Sequence, residues 1–233
     1  MQPLLPSGRG PLCGALFAHW RSGAPLDLPI LSGLNPLADD DLHLALWCCY
    51  QLHFGGFDEV DDRMEWDGPT LSFRGELEAA FERALWDEHR AASVPRDPVT
   101  ALRVLAAQAG PPLSTFIEER GERRHLEEYA IHRSAYQLKE ADGHTFALPR
   151  LRGAGRAAMV EIQSDEYGMG RPGAAHSELF AGAMEELGLD SELGAYLDRL
   201  PGTTLATDNL VSLFGLHLRL RGADRDHDRD PRR

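Results

Sequence analysis

From Asp39 to about Arg221 the apolar residues recur at helical spacing, in blocks closed off by Gly and Pro, and no block alternates strictly between apolar and polar. A chain with this rhythm has no half-buried strand to pair, so it must bury its apolar stripes helix against helix. The expected fold class is all-α, a bundle of helices of roughly 10 to 25 residues.

The blocks can be placed one by one. Asp39 to Phe54 opens with three aspartates suited to a helix N-terminus and continues through Leu42, Leu44, Leu46, Trp47, Tyr50 and Leu52, apolar enough for a buried helix. Leu71 to Ala92 sets Leu77, Phe81, Ala84 and Leu85 against Glu76, Glu78, Glu82, Arg83 and Asp87, an amphipathic pattern. Asp97-Pro98 starts a short capped helix that Gly110-Pro111-Pro112 stops. Ser114 to Ala141 reads as one long helix, and another should run from His144 or Pro149 to Tyr167, bent near Pro149 or Gly153. Ser177 to Leu187 ends at Gly188, a left-handed stop; Ser191 to Leu200 and Thr207 to Arg221 complete the set. The domain organisation expected is an irregular, Pro- and Gly-rich arm over 1–38, a helical bundle over 39–222, and a disordered Arg/Asp tail over 223–233 with no apolar face to bury.

Composition excludes several roles. With 233 residues the chain can bury a real core, and a net charge of -13 argues against a phosphate-binding surface, so nucleic acid is not an expected partner. No apolar run approaches the roughly 20 residues that span a bilayer, and Pro3, Pro6 and Pro11 interrupt any leader-like segment, which leaves no membrane role and points to the cytoplasm. Cys13, Cys48 and Cys49 are too few and too oddly spaced for a disulfide framework and read as core filler. Gly168-Met-Gly-Arg-Pro-Gly173 spells G-x-G-x-x-G but joins two helices, so it is not a dinucleotide loop. No G-x-S-x-G elbow occurs. His43, His53, His89 and His217 stand alone on helices, and Trp47, Trp66 and Trp86 suit a core or an interface.

The densest chemistry lies in Glu161-Ile-Gln-Ser-Asp-Glu-Tyr-Gly-Met-Gly-Arg-Pro-Gly-Ala-Ala-His176. Glu161 and Asp165, four apart, lie within about 40° of each other on a helix, and Glu166 follows one position round. The turn at Gly168, Gly170 and Gly173 lets His176 swing back toward them. Carboxylates with an imidazole suit iron or manganese better than zinc. An acidic, solvent-facing last turn with His176 as an ordinary helix start explains the same residues. Upstream, Glu128 and His132 form a second i, i+4 pair, with His125 and Glu127 nearby. Such pairs build carboxylate iron sites in bundles, yet Arg120, Arg123, Arg124, Arg133 and Lys139 on the same segment also suit a salt-bridged outer face.

His132 to Leu151 and Val160 to Phe180 resemble the iron-containing redox enzymes of the haem-oxygenase-like superfamily, a resemblance that covers roughly residues 110 to 222, including Asn209 to Gly222. It implies a helical bundle holding non-haem iron, two ions in many full-length relatives, with Glu166 and His176 as ligands and Glu161 and Asp165 as substitutes if the register differs. It also implies a further glutamate on a later helix and a final helix with histidine and aspartate. Neither is recognisable here, and the change of composition at residue 223 leads to the expectation of a chain truncated at its C-terminus, incomplete as a bundle and impaired as an enzyme. The Asp226-His227-Asp228 triplet is not expected to replace the missing ligands.

Relatives oxidise small molecules with O2, so a small-molecule substrate and O2 are the implied partners. The alternative is a non-catalytic helical scaffold that associates through an uncovered apolar face, for instance as a homodimer.

Overall fold

The computed structural model describes residues 2–91, 95, 97–108 and 110–220. Its elements are helices: α1 Pro11–Ser22, α2 Asp40–Gln51, α3 Gly68–Ala91, α4 Pro98–Ala107, α5 Leu113–Arg120, α6 Arg123–Gln137, the single turn α7 Asp142–Thr145, α8 Gly153–Glu166, α9 His176–Glu186 and α10 Gly202–Leu216, with short 3-10 turns between. No strand occurs among the described residues, and the fold is all-α.

The core is organised around α2. Every residue from Leu42 to Gln51 is buried, because α1, α3 and α10 cover it on different sides. Asp39 caps α2, its carboxylate accepting from the Leu42 amide at 2.8 Å. Where α10 begins, Gly202 backs onto the Ala38 and Asp39 carbonyls; a Cβ there would lie 2.7 Å from both oxygens, so glycine lets the two helix starts touch.

The N-terminal segment is not the irregular arm expected over 1–38. Pro11–Ser22 is a helix that buries Leu12, Cys13, Leu16, Phe17 and Trp20 against the core. Its first amides are capped from outside: Asp41 of α2 accepts from Leu12 N at 2.7 Å and Cys13 N at 3.0 Å. The flanking Gly10, Pro11 and Gly23, which look like breakers, are a cap, a first-turn proline and a left-handed stop with φ 68°.

Three further expectations are corrected. Ser114 to Ala141 is not one helix: Gly121, extended at φ -64° and ψ 137°, separates α5 from α6. Ser191 to Leu200 forms no α-helix and holds a 3-10 turn at Leu197–Arg199. The last long helix begins at Gly202 and ends at Leu216. The tail over 223–233, with Asp226-His227-Asp228, lies outside the described residues.

Polar side chains stitch α10 to the core. Asp208 accepts from the Trp47 indole N–H and pairs with Lys139 Nζ at 3.1 Å, while the same ammonium sits 4.5 Å from the Trp47 ring centroid and 4.8 Å from that of Phe54. Asn209 Nδ2 donates to the His43 carbonyl at 2.9 Å and faces His43 Nδ1 at 3.2 Å. His43 and His217 therefore do not stand alone: His43 is buried edge-on against Phe81, and His217 Nε2 lies 2.9 Å from the buried Glu78 carboxylate. Trp66 is exposed, whereas Trp47 is fully buried. The three cysteines are free and buried, and burial pushes their thiols well above the usual range.

Candidate metal centre

Two carboxylates and an imidazole converge at the end of the bundle where α6, α8 and α9 meet. The chain leaves α6 at Gln137 and turns sharply at Ala141, a non-glycine residue in the left-handed region with φ 79°. That turn costs about 1 kcal/mol of backbone strain. Just before it, consecutive side chains serve different environments: Lys139 is buried in its pair with Asp208, and Glu140 meets His176.

Glu166 is the last residue of α8, and ten residues later His176 is the first of α9. The connection folds tightly through positive φ at Gly168, Met169, Gly170 and Gly173. Gly168 is irreplaceable on two counts: its φ of 64° disfavours a side chain, and a Cβ would strike the backbone of Ala174 and Ala175, lying 2.6 Å from the Ala174 oxygen. Glu178 closes the start of α9 by accepting from Ala175 N at 3.0 Å.

The result is His176 Nδ1 at 2.8 Å from Glu166 Oε2 and 3.1 Å from Glu140 Oε2. One donor atom from each of the three lies within 4.8 Å of the others. The two carboxylates are largely sheltered and the imidazole is about half exposed, at 48 %. Burial raises the Glu140 carboxyl above the ordinary range, and the Glu166 charge adds to it against the opposing effects of His176, Arg133 and His144. Next to them the half-buried Tyr136 phenol is pushed up to about 12 by burial and by the charges of Glu140, Asp208 and Glu166, so it keeps its proton.

The candidates read from the sequence separate clearly. The structure brings Glu166 and His176 together and leaves Glu161 and Asp165 exposed, outside the group. Glu128 and His132 are also elsewhere. They meet at 3.3 Å on the outer face of α6, where Arg199 pairs with Glu128 at 3.1 Å and His132 Nδ1 contacts Thr204 Oγ1 at 3.1 Å. His125 and Glu127 are used in the helix start and in an i, i+4 pair with Arg123. The residue that sequence reasoning missed is Glu140. Its signal was the Lys139-Glu-Ala-Asp-Gly143 run ahead of a turn, which looks like any solvent-facing helix end.

Over residues 127–223 the chain matches the iron-containing redox enzyme family. The matched span covers less than half of the chain, and it contains all three converging residues together with α10. No curated protein matches the chain.

The donor set fits the iron that this family is described as containing. Carboxylate oxygens and an imidazole nitrogen are ligands for a hard or borderline divalent ion. Burial first, and then the Glu166 charge, raises the Glu140 carboxyl, and a cation between the two carboxylates would offset both effects. A second buried cluster, Glu78 with the Arg74 guanidinium at 3.2 Å and the His217 imidazole at 2.9 Å, has a permanent cation beside its carboxylate and offers no comparable group of ligands among the described residues.

Proposed function

We propose that the protein holds non-haem iron through Glu140, Glu166 and His176 and uses it to oxidise a small organic molecule with O2. The reading is carried by one observation: three side chains of the right donor types, from three separate segments, converge within 4.8 Å inside the span that matches the iron-containing redox enzymes. Bound there, ferrous iron would supply electrons for the reduction of O2, with coordination positions left for water, O2 and substrate.

The chain's own residues have definite tasks. Glu140 and Glu166 supply the negative charge, and His176 the neutral donor that a cation competes for with protons. Because His176 Nδ1 already faces both carboxylates, metal uptake must displace any proton shared among them, so uptake weakens as pH falls. Tyr136 offers a neutral O–H beside the group, a donor that stays protonated through physiological pH. The exposed side of His176 is the side from which small molecules reach the group.

The test is metal analysis of anaerobically purified protein after addition of ferrous iron, beside Glu140→Gln and His176→Ala, followed by O2 uptake. Near-stoichiometric iron that either substitution removes is the expected result. Iron that fails to bind, or that binds equally to all three proteins, overturns the reading and leaves a non-catalytic helical protein.

A further inference from the structure

The helix that carries Glu166 is poorly anchored by apolar packing. Among the described residues of α8, Gln163 is the one that is buried, while Val160 and Ile162 are about half exposed. A 14-residue helix therefore lacks the apolar stripe that normally sets a helix in place, and something else must hold Glu166 at its distance from Glu140.

That something is a polar tie. Gln163 Nε2 donates to the Ala141 carbonyl at 2.9 Å and to Thr145 Oγ1 at 2.9 Å. Tyr167 OH donates to Asp142 Oδ1 at 2.8 Å and contacts Thr145 Oγ1 at 2.8 Å. The Gln163 amide supplies two hydrogens and Tyr167 supplies one to Asp142, while the single Thr145 hydrogen is shared between the Tyr167 oxygen and the Ala141 carbonyl at 3.2 Å. Gln163 Oε1 is buried with no partner among the described residues, so the side chain is held for its two donors and bears the cost of its acceptor.

The placement of the tie matters more than its number of bonds. Ala141 and Asp142 directly follow Glu140, and Tyr167 directly follows Glu166, with Gln163 one turn earlier on α8. The Ala141 carbonyl that Gln163 grips belongs to the left-handed residue that follows Glu140. On one side the tie holds the two residues after Glu140, with Thr145 five on, and on the other it holds the residue after Glu166 and the one three before it.

We infer that Gln163 and Tyr167 are positioning residues that set the spacing of Glu140 and Glu166 and thereby the metal affinity of the site, an inference that rests on the metal reading above. Outer partners of metal ligands commonly change affinity 10- to 100-fold when removed. Gln163→Met keeps length and volume while deleting both donors; Tyr167→Phe deletes one.

The experiment titrates wild type, Gln163→Met and Tyr167→Phe with Co(II), reading affinity and the visible ligand-field spectrum, and follows amide hydrogen exchange of α8 and α2 in each. The expected result is about 10- to 100-fold weaker Co(II) binding and an altered spectrum for Gln163→Met, with faster exchange in α8, unchanged exchange in α2, and a smaller change in the same direction for Tyr167→Phe. Affinities and spectra equal to wild type in both variants overturn the inference. If wild type itself takes up no Co(II), the metal reading fails, and unchanged exchange of α8 in the variants would then overturn the tie independently. Should Gln163→Met not fold, Tyr167→Phe decides by the same readings.

Discussion

Acid should destabilise this protein through His43 before most carboxylates titrate. The side chain is fully buried, and burial lowers its pKa from 6.5 to about 4 against the favourable influence of the Pro36 and Leu37 carbonyls and of Asp39 and Asp40. Geometry agrees, because Asn209 Nδ2 donates toward His43 Nδ1, a contact that requires an unprotonated Nδ1. Asn209 cannot simply turn over, since it also donates to the His43 carbonyl. Above pH 6.5 both folded and unfolded states hold a neutral ring and His43 contributes no slope. Below it the unfolded chain takes up a proton that the folded chain refuses, until the pH reaches about 4. Integrated over that window, the loss is about 2 kcal/mol between pH 7 and 5 and about 3 kcal/mol by pH 4. Urea unfolding of wild type and His43→Gln at several pH values isolates this contribution, since every other titrating group is common to both. The variant should start less stable at pH 7 and lose stability less steeply on acidification, by those amounts. Parallel stability curves would refute the reasoning.

Gly168→Ala should cost at least about 1 kcal/mol for the left-handed backbone alone, with more from the collision at Ala174, and should lower metal uptake without touching a ligand; thermal melting and metal analysis check both parts. Lys139→Met leaves Asp208 buried without its cation and should destabilise by about 3–5 kcal/mol, measured by urea unfolding. Adding Asp208→Asn in the same chain should recover part of that loss, because an amide tolerates burial beside Trp47 better than an unpaired carboxylate.

What was legible in the sequence is what depends on neighbours along the chain. The run from Leu42 to Tyr50 declares a buried helix, Asp97-Pro98 a capped start and Gly188 a stop, and the structure has each of them. The glycines between Glu166 and His176 signalled a reversal, and the reversal brings those two side chains within 2.8 Å. What was illegible depends on partners far away in sequence. Helix α1 starts because Asp41, 29 residues on from Leu12, caps it, and without that carboxylate Gly10-Pro11 reads as a break. Glu140 stands just before a left-handed turn at Ala141, which no rule assigns to alanine and whose carbonyl a glutamine 22 residues later holds. Glu161 and Asp165 were plausible on spacing alone; which carboxylates of an acidic helix face inward is decided by where its end lands.

Lys139 and Glu140 share one peptide bond and face opposite worlds, the ammonium resting over the Trp47 indole and the carboxylate meeting His176. An indole's emission responds to the charge lying over its ring. A displacement at Glu140 that shifted the adjacent Lys139 cation over Trp47 would change that tryptophan's share of the emission from the four tryptophans of the chain.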